Sequence, residues 1–218
     1  SILWWQLFRK NQFQEIWQEF QMHLAEGNQW LLLIMILLMP LNWFLETLKW
    51  RVLLPEQPVL KFKTCLKAVV GGITLSLLTP NRIGEYGGRM LFVPRKIQWS
   101  AVIATLAGSF SQNLINIGFG FCGLVSVYLY RDQITFESSG IWYLLIFIGL
   151  VGMVYMYFRM DLIYRWISRI RLPAFFERGK KHLKLLTYYS DKRLVKALLI
   201  ALMRYLVFCF QFVLILHF

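Results

Sequence analysis

Cysteine and histidine are scarce in this chain, and the few present stand apart. Cys65, Cys122 and Cys209 sit singly in apolar runs, and His23, His182 and His217 are far from one another. Such spacing offers neither a disulfide framework nor a CxxC metal site, and no HExxH-like pair is present. No metal or cofactor is therefore expected, and the cysteines read as packing residues. Charge is also sparse at 16%, with only 11 acidic residues against 24 basic ones. The apolar segments hold no paired carboxylates and no nucleophile beside a base, so catalysis by this chain is not expected. A soluble repeat period is missing as well.

What is abundant sets the solvent. Hydrophobic residues make up 58% and aromatics 17% of the chain, and mean hydropathy is +0.52. These values describe a polytopic membrane protein. A net charge of +13 can signal nucleic-acid binding, but here the basic residues are interleaved with apolar spans, as in loops facing an anionic leaflet. Nucleic acid is not an expected partner. The predicted fold is all-α, a polytopic helical membrane protein with a re-entrant helical hairpin, as a single transmembrane domain over residues 1–218. The sequence begins at Ser1 and stops at Phe218 inside an apolar run, which reads as a piece of a longer chain.

In order, residues 9–26 form an expected interfacial helix, with Phe13, Ile16, Trp17, Phe20 and Leu24 at helical spacing. Trp4 and Trp5 before it suit a membrane interface. Residues 30–48 are long enough to cross about 30 Å of hydrocarbon, with Pro40 inside and Glu46 near the exit. A hairpin is predicted over residues 64–94, followed by spans at 100–130, 140–158 and 194–216. The long 100–130 span has a polar waist of Ser109, Ser111, Gln112, Asn113 and Asn116, then Gly118, Gly120 and Gly123 for close packing or a bend. Residues 161–171 form a second expected interfacial helix, with Leu162, Ile163, Trp166, Ile167 and Ile170 apart from Arg165 and Arg169. Arg204 falls near the centre of the last span.

The stretch that organises the rest is TPNRIGEYGGRML, Thr79 to Leu91. Pro80 cannot continue an arriving helix but suits the first turn of a new one, with Thr79 as its cap. On that helix Arg82, Glu85 and Arg89 would stack plus, minus, plus along one face. Gly84, Gly87 and Gly88 would leave adjoining surface open to a backbone or a ligand.

Charge then selects a topology. If the segments on either side of Pro80 enter and leave by one face, Lys49, Arg51, Lys61, Lys63, Lys67, Arg95, Lys96, Lys196 and the basic loop 159–193 share one side. Only Arg9, Lys10 and Arg131 lie opposite, whereas an ordinary crossing would split the charge. The positive-inside rule favours the hairpin, dipping in from the cytoplasmic side. Non-helical backbone at depth must be shielded or line a wet cavity, so a cavity is implied.

A helix N-terminus at Pro80, Asn81 and Arg82, with Arg82 and Arg89 adding fixed charge, is suited to an anion, and arginine forks match phosphate. Glu85 would hold the empty site together or meet a cationic part of the ligand. The candidate binding residues are Pro80, Asn81, Arg82, Gly84, Glu85 and Arg89. The other reading is a structural ion-pair ladder on a short loop helix. Gln112, Asn113 and Asn116 would line the cavity or hydrogen-bond between helices. Arg204 would contact ligand, pair structurally or snorkel.

The same stretch resembles the P-x-R-x-G-E-x-x-R pattern of the flippase-like membrane family related to the transmembrane region of bacterial lysylphosphatidylglycerol synthases. The match falls on Pro80, Arg82, Gly84, Glu85 and, with looser spacing, Arg89; NWFLETLKWRVLL is also similar to an early span of that family. The resemblance implies a multi-pass protein of the bacterial inner membrane that moves or handles a phospholipid or a polyprenyl-phosphate-type lipid. No aminoacyl-transferase domain is present in these 218 residues, so lipid synthesis is not implied. The expected function is a lipid flippase or transporter binding an anionic, phosphate-bearing headgroup at the hairpin. The alternatives are a non-catalytic membrane subunit that recruits a partner at the basic loop 159–193, a possible site of homo-oligomer contact too, or an enzyme acting on a lipid phosphate.

Overall fold

A computed structural model describes residues 17–18, 21–22, 29–56, 59–130, 139–169 and 181–217. Every regular element among them is helical. The chain is an all-α polytopic membrane protein. Four helices are long and apolar enough to cross a membrane: α1 (Gln29–Leu53), α4 (Gln98–Tyr130) with the turn before it, α5 (Ser139–Phe158) and α7 (Asp191–His217). Between the first two lie α2 (Phe62–Leu78), a 3-10 turn Pro80–Arg82, and α3 (Gly84–Leu91); α6 (Met160–Arg169) and a 3-10 segment Lys181–Tyr188 link α5 to α7.

The spans thus coincide with the apolar runs, and the helices overshoot them. At α1 this matters, because the helix continues five residues past Leu48 to Leu53. Lys49, expected in a loop, is therefore inside a helix and buried at 1% exposure. It does not belong with the loop charges. Pro40 is accommodated within α1.

Two compact units are distinguishable, Trp43–Tyr205 and Ser1–Asn42 with Leu206–Phe218. Within the smaller one Leu31 and Leu214 are buried, and Gln211 Nε2 donates to the Met35 carbonyl at 3.3 Å. Of the expected 9–26 interfacial helix, Trp17 and Gln18, and Gln21 and Met22, are helical and exposed. The rest of it, Trp4, Trp5 and the 131–138 loop lie outside the described residues.

The larger unit has its core where helix ends gather. Trp50, Leu53, Ala101, Ala104, Tyr157 and Leu194 belong to one buried cluster. Polar side chains tie the same ends. Tyr157 on α5 shares a hydrogen bond with Ser111 on α4 at 2.9 Å and donates to the Leu194 carbonyl on α7 at 2.9 Å. Tyr189 donates to the Leu53 carbonyl at 2.7 Å, closing the end of α1 against the start of α7. Away from this core the helices stay apolar outside: Ile141, Leu144, Phe147 and Val151 along α5 are all exposed. Apolar surface on that scale fits a hydrocarbon solvent.

The α2 and α3 helices pack as an antiparallel pair, because Gly71 faces Phe92, Gly72 faces Gly88, and Gly84 faces Leu75. Glycine is required at that contact. A Cβ on Gly88 would lie 2.7 Å from the Gly72 Cα, and one on Gly84 would lie 2.3 Å from the Leu75 carbonyl oxygen. Gly87 is different, with nothing within 4 Å of its would-be Cβ. At 17 and 8 residues, the two helices reach only about 26 Å and about 12 Å at 1.5 Å per residue.

The segment expected at 161–171 is helical over Met160–Arg169, while Ile170 and Arg171 lie outside the described residues. Ile163 and Tyr164 pack on the core, Arg165 reaches Asp161 at 3.5 Å, and Trp166 stays 69% exposed. Of the cysteines, Cys65 is buried, Cys209 partly so, and Cys122 exposed, so only Cys65 fits the expected packing role in full.

Candidate functional site

The chain breaks at Pro80 as the sequence predicts, but the new helix does not start there. Thr79 is extended, Pro80 opens a 3-10 turn, and Arg82 has φ 59°. That left-handed conformation is unusual for a residue with a Cβ and interrupts the helical path, so α3 begins at Gly84. Thr79 does act as a cap, though not for the proline turn. Its hydroxyl accepts from the Gly84 N–H at 2.7 Å and donates to the Leu75 carbonyl at 3.1 Å, joining the end of α2 to the start of α3.

The expected ladder of Arg82, Glu85 and Arg89 is therefore split. Glu85 and Arg89, four apart on α3, are ion-paired. Arg82 stands off the helix with its side chain 74% exposed and its Nε 4.0 Å from a Glu85 oxygen. Pro80 lies beside it in the turn, and the side chain of Asn81 is outside the described set.

Arg89 is the buried member, its side chain 1% exposed. Its Nη2 donates to Glu85 and, at 2.7 Å, to Glu46 on α1. Its guanidinium carbon lies 5.4 Å from the Trp50 ring centroid, within cation–π range. The Arg89 Nε and Nη1 are buried and have no hydrogen-bond partner among the described residues. Gly72 makes room for the side chain, since a Cβ there would come within 2.9 Å of the Arg89 Cγ.

Glu46 is the hub. Besides Arg89 it accepts from Lys49 Nζ at 2.8 Å and from Arg204 Nη1. Three cations and two carboxylates meet here, an excess of one positive charge within largely buried surroundings. The Lys49 stem passes Gly108 on α4, 3.4 Å from where a Cβ would stand. Trp50 is fixed by α4, its indole N–H donating to Thr105 Oγ1 at 3.0 Å and to the Ala101 carbonyl at 3.3 Å.

Gln112 and Arg204 join this network. Arg204 Nη1 is 3.4 Å from Gln112 Oε1, and Gln112 Nε2 lies 3.3 Å from Asn116 Oδ1 and 3.4 Å from the Ala201 carbonyl. Asn116 is exposed, and Asn113 is exposed without a side-chain hydrogen bond among the described residues. The waist residues thus hydrogen-bond along α4 and across to α7. Arg204 pairs rather than extending away from the bundle.

Sequence reasoning missed the hub. Glu46, Lys49 and Trp50 share one face of α1 by their i, i+3 and i+4 spacing, but the apolar run predicts a span ending at Leu48, which leaves Lys49 and Trp50 out. The signal was an acidic and a basic residue three apart at the end of an apolar run, where charge is costly unless paired.

The lysylphosphatidylglycerol synthase TM region is the family whose model matches, over residues 1–218. No curated protein and no solved structure matches the chain.

Proposed function

Because the chain belongs to the lysylphosphatidylglycerol synthase TM region family, we propose that it moves a lipid with a phosphate-bearing headgroup across its membrane, without catalysing a reaction. The family supports a lipid-related role for a multi-pass membrane protein. The finer assignment rests on one observation, the buried Arg89 guanidinium, whose Nη2 holds two carboxylates while Nε and Nη1 have no hydrogen-bond partner among the described residues.

Carboxylates can occupy an arginine fork as a phosphate does, so Glu46 and Glu85 act as internal anions in the closed site. A phosphate would arrive first at exposed Arg82, displace Glu85, and draw on the positive excess of the cluster. The α2–α3 pair would then be re-entrant, α2 being marginal in length for a crossing and α3 far too short, with its tip inside a bacterial inner membrane. Lipid tails would remain in the bilayer.

Reconstituted vesicles carrying a headgroup-labelled phospholipid test this. Arg82→Lys keeps the charge and removes the fork, so transport should fall severalfold, and Arg82→Ala should lower it about tenfold or more. Both variants should fold normally, because the side chain is largely exposed. If both proteins bind and move phospholipid like wild type, the headgroup does not bind at this hairpin.

A further inference from the structure

The last turn of α1 and the first turns of α7 border a second polar feature, on residues that the Glu46 cluster does not use. A cleft of about 300 Å³ is lined by Arg51, Glu56, Arg193 and Lys196, over apolar walls that include Leu54 and Leu60. Three cations face one carboxylate. Glu56 pairs with Arg193, but its side chain is 80% exposed, and an ion pair that wet is weak. Arg51 and Lys196 are exposed and have no ion-pair partner among the described residues.

We propose that this cleft binds a phosphate ester, with Arg51, Arg193 and Lys196 holding the phosphoryl oxygens and the apolar walls taking the adjoining carbon chain. Arginine supplies directional forks and lysine a point charge, a combination suited to a phosphate held from several sides. The volume is at the lower edge of the range for small-molecule sites, about 300–1,000 Å³. It fits a headgroup and the start of a chain, with the remainder outside. Basic pockets between spans at the positively charged membrane face are suited to anionic headgroups. The same chemistry is offered by an anionic phospholipid and by a soluble phosphate ester. Glu56 is the internal competitor, because it occupies part of the Arg193 fork.

The full chain, purified in a neutral detergent, provides the test. All proteins carry Arg82→Ala, so that the hairpin site does not contribute and a failure there does not register here. Binding of dioctanoyl-phosphatidylglycerol and of glycerol 3-phosphate is measured by titration calorimetry. An added Arg51→Gln/Lys196→Gln change should weaken phosphatidylglycerol binding about tenfold or more, while an added Glu56→Gln change should tighten it severalfold. A damaged fold cannot produce that gain. Phosphatidylglycerol binding far tighter than glycerol phosphate identifies a lipid site, whereas equal binding identifies a site for soluble esters; both support the cleft. If neither ligand binds, or if the Arg51→Gln/Lys196→Gln and Glu56→Gln changes leave affinity unaltered, the cleft is only a solvated basic surface and the proposal is overturned.

Discussion

Arg89 and Glu46, separated by 43 positions, meet at 2.7 Å with side chains 1% and 8% exposed. The contact fixes α3 against α1 through charge, inside a buried network that also holds Lys49, Glu85 and Arg204. A buried pair is costly to desolvate and costly to break from one side. The two partners should respond differently to mutation, because they carry different numbers of contacts.

Glu46→Gln should destabilise the protein by about 3–5 kcal/mol, since it leaves Lys49, Arg89 and Arg204 without their shared carboxylate. Glu85→Gln should cost less, because Arg89 retains Glu46. Arg89→Gln combined with Glu85→Gln should recover part of the stability lost by Arg89→Gln alone, and none of the transport. Thermal unfolding in detergent checks the order; equal losses for Glu46→Gln and Glu85→Gln would remove Glu46 from the centre of the network.

Gly88→Ala should separate α2 from α3, because its methyl would sit 2.7 Å from the Gly72 Cα. Gly87→Ala, one position earlier with nothing within 4 Å, should be neutral or stabilising by roughly 0.5–1 kcal/mol through helix propensity. The same thermal measurement distinguishes them. A similar response at both positions would contradict the packing described.

Trp50→Phe should keep an aromatic face beneath Arg89 and lose the indole hydrogen bond to Thr105, at a cost of about 1–3 kcal/mol for the stranded partner and the smaller ring. Trp50→Leu should cost more, since it also removes the cation–π contact. In an Arg89→Gln background that extra loss should shrink; if it does not, the ring and the guanidinium are not coupled.

Tyr189 introduces a pH dependence. Burial holds its phenol well above the ordinary value near 10, with the nearby Arg193 charge opposing that rise. The unfolded chain therefore loses this proton first as pH rises. The contribution is complete below about pH 10 and is lost as pH climbs from there towards the folded value. Tyr189→Phe should flatten this alkaline limb of the stability profile while removing the bond to the Leu53 carbonyl. An unchanged limb would show that another group controls it.

Topology is accessible to labelling. With Cys65, Cys122 and Cys209 replaced, single cysteines at Lys61 and Arg95 should react with an impermeant thiol reagent from the same side of the membrane. Labelling from opposite sides would refute a re-entrant α2–α3 pair.

The apolar runs by themselves determined the four long helices and the all-α class, because in a membrane every backbone polar group must be satisfied within its own segment. The break at Pro80 was equally local, a consequence of a missing N–H and a fixed φ. Glu85 and Arg89 were legible as a pair from their spacing of four. Arg82 was not, because its departure from the helix depends on a single left-handed residue that no spacing rule reports. The continuation of α1 through Lys49 to Leu53 was hidden by charge, which reads as loop until a partner is known. That partner was decided only by tertiary structure. Glu46 gathers Lys49 from its own helix, Arg89 from α3 and Arg204 from α7. Sequence shows that these charges lie in apolar runs, but only the packing of helices brings together the opposite charges that make their burial tolerable.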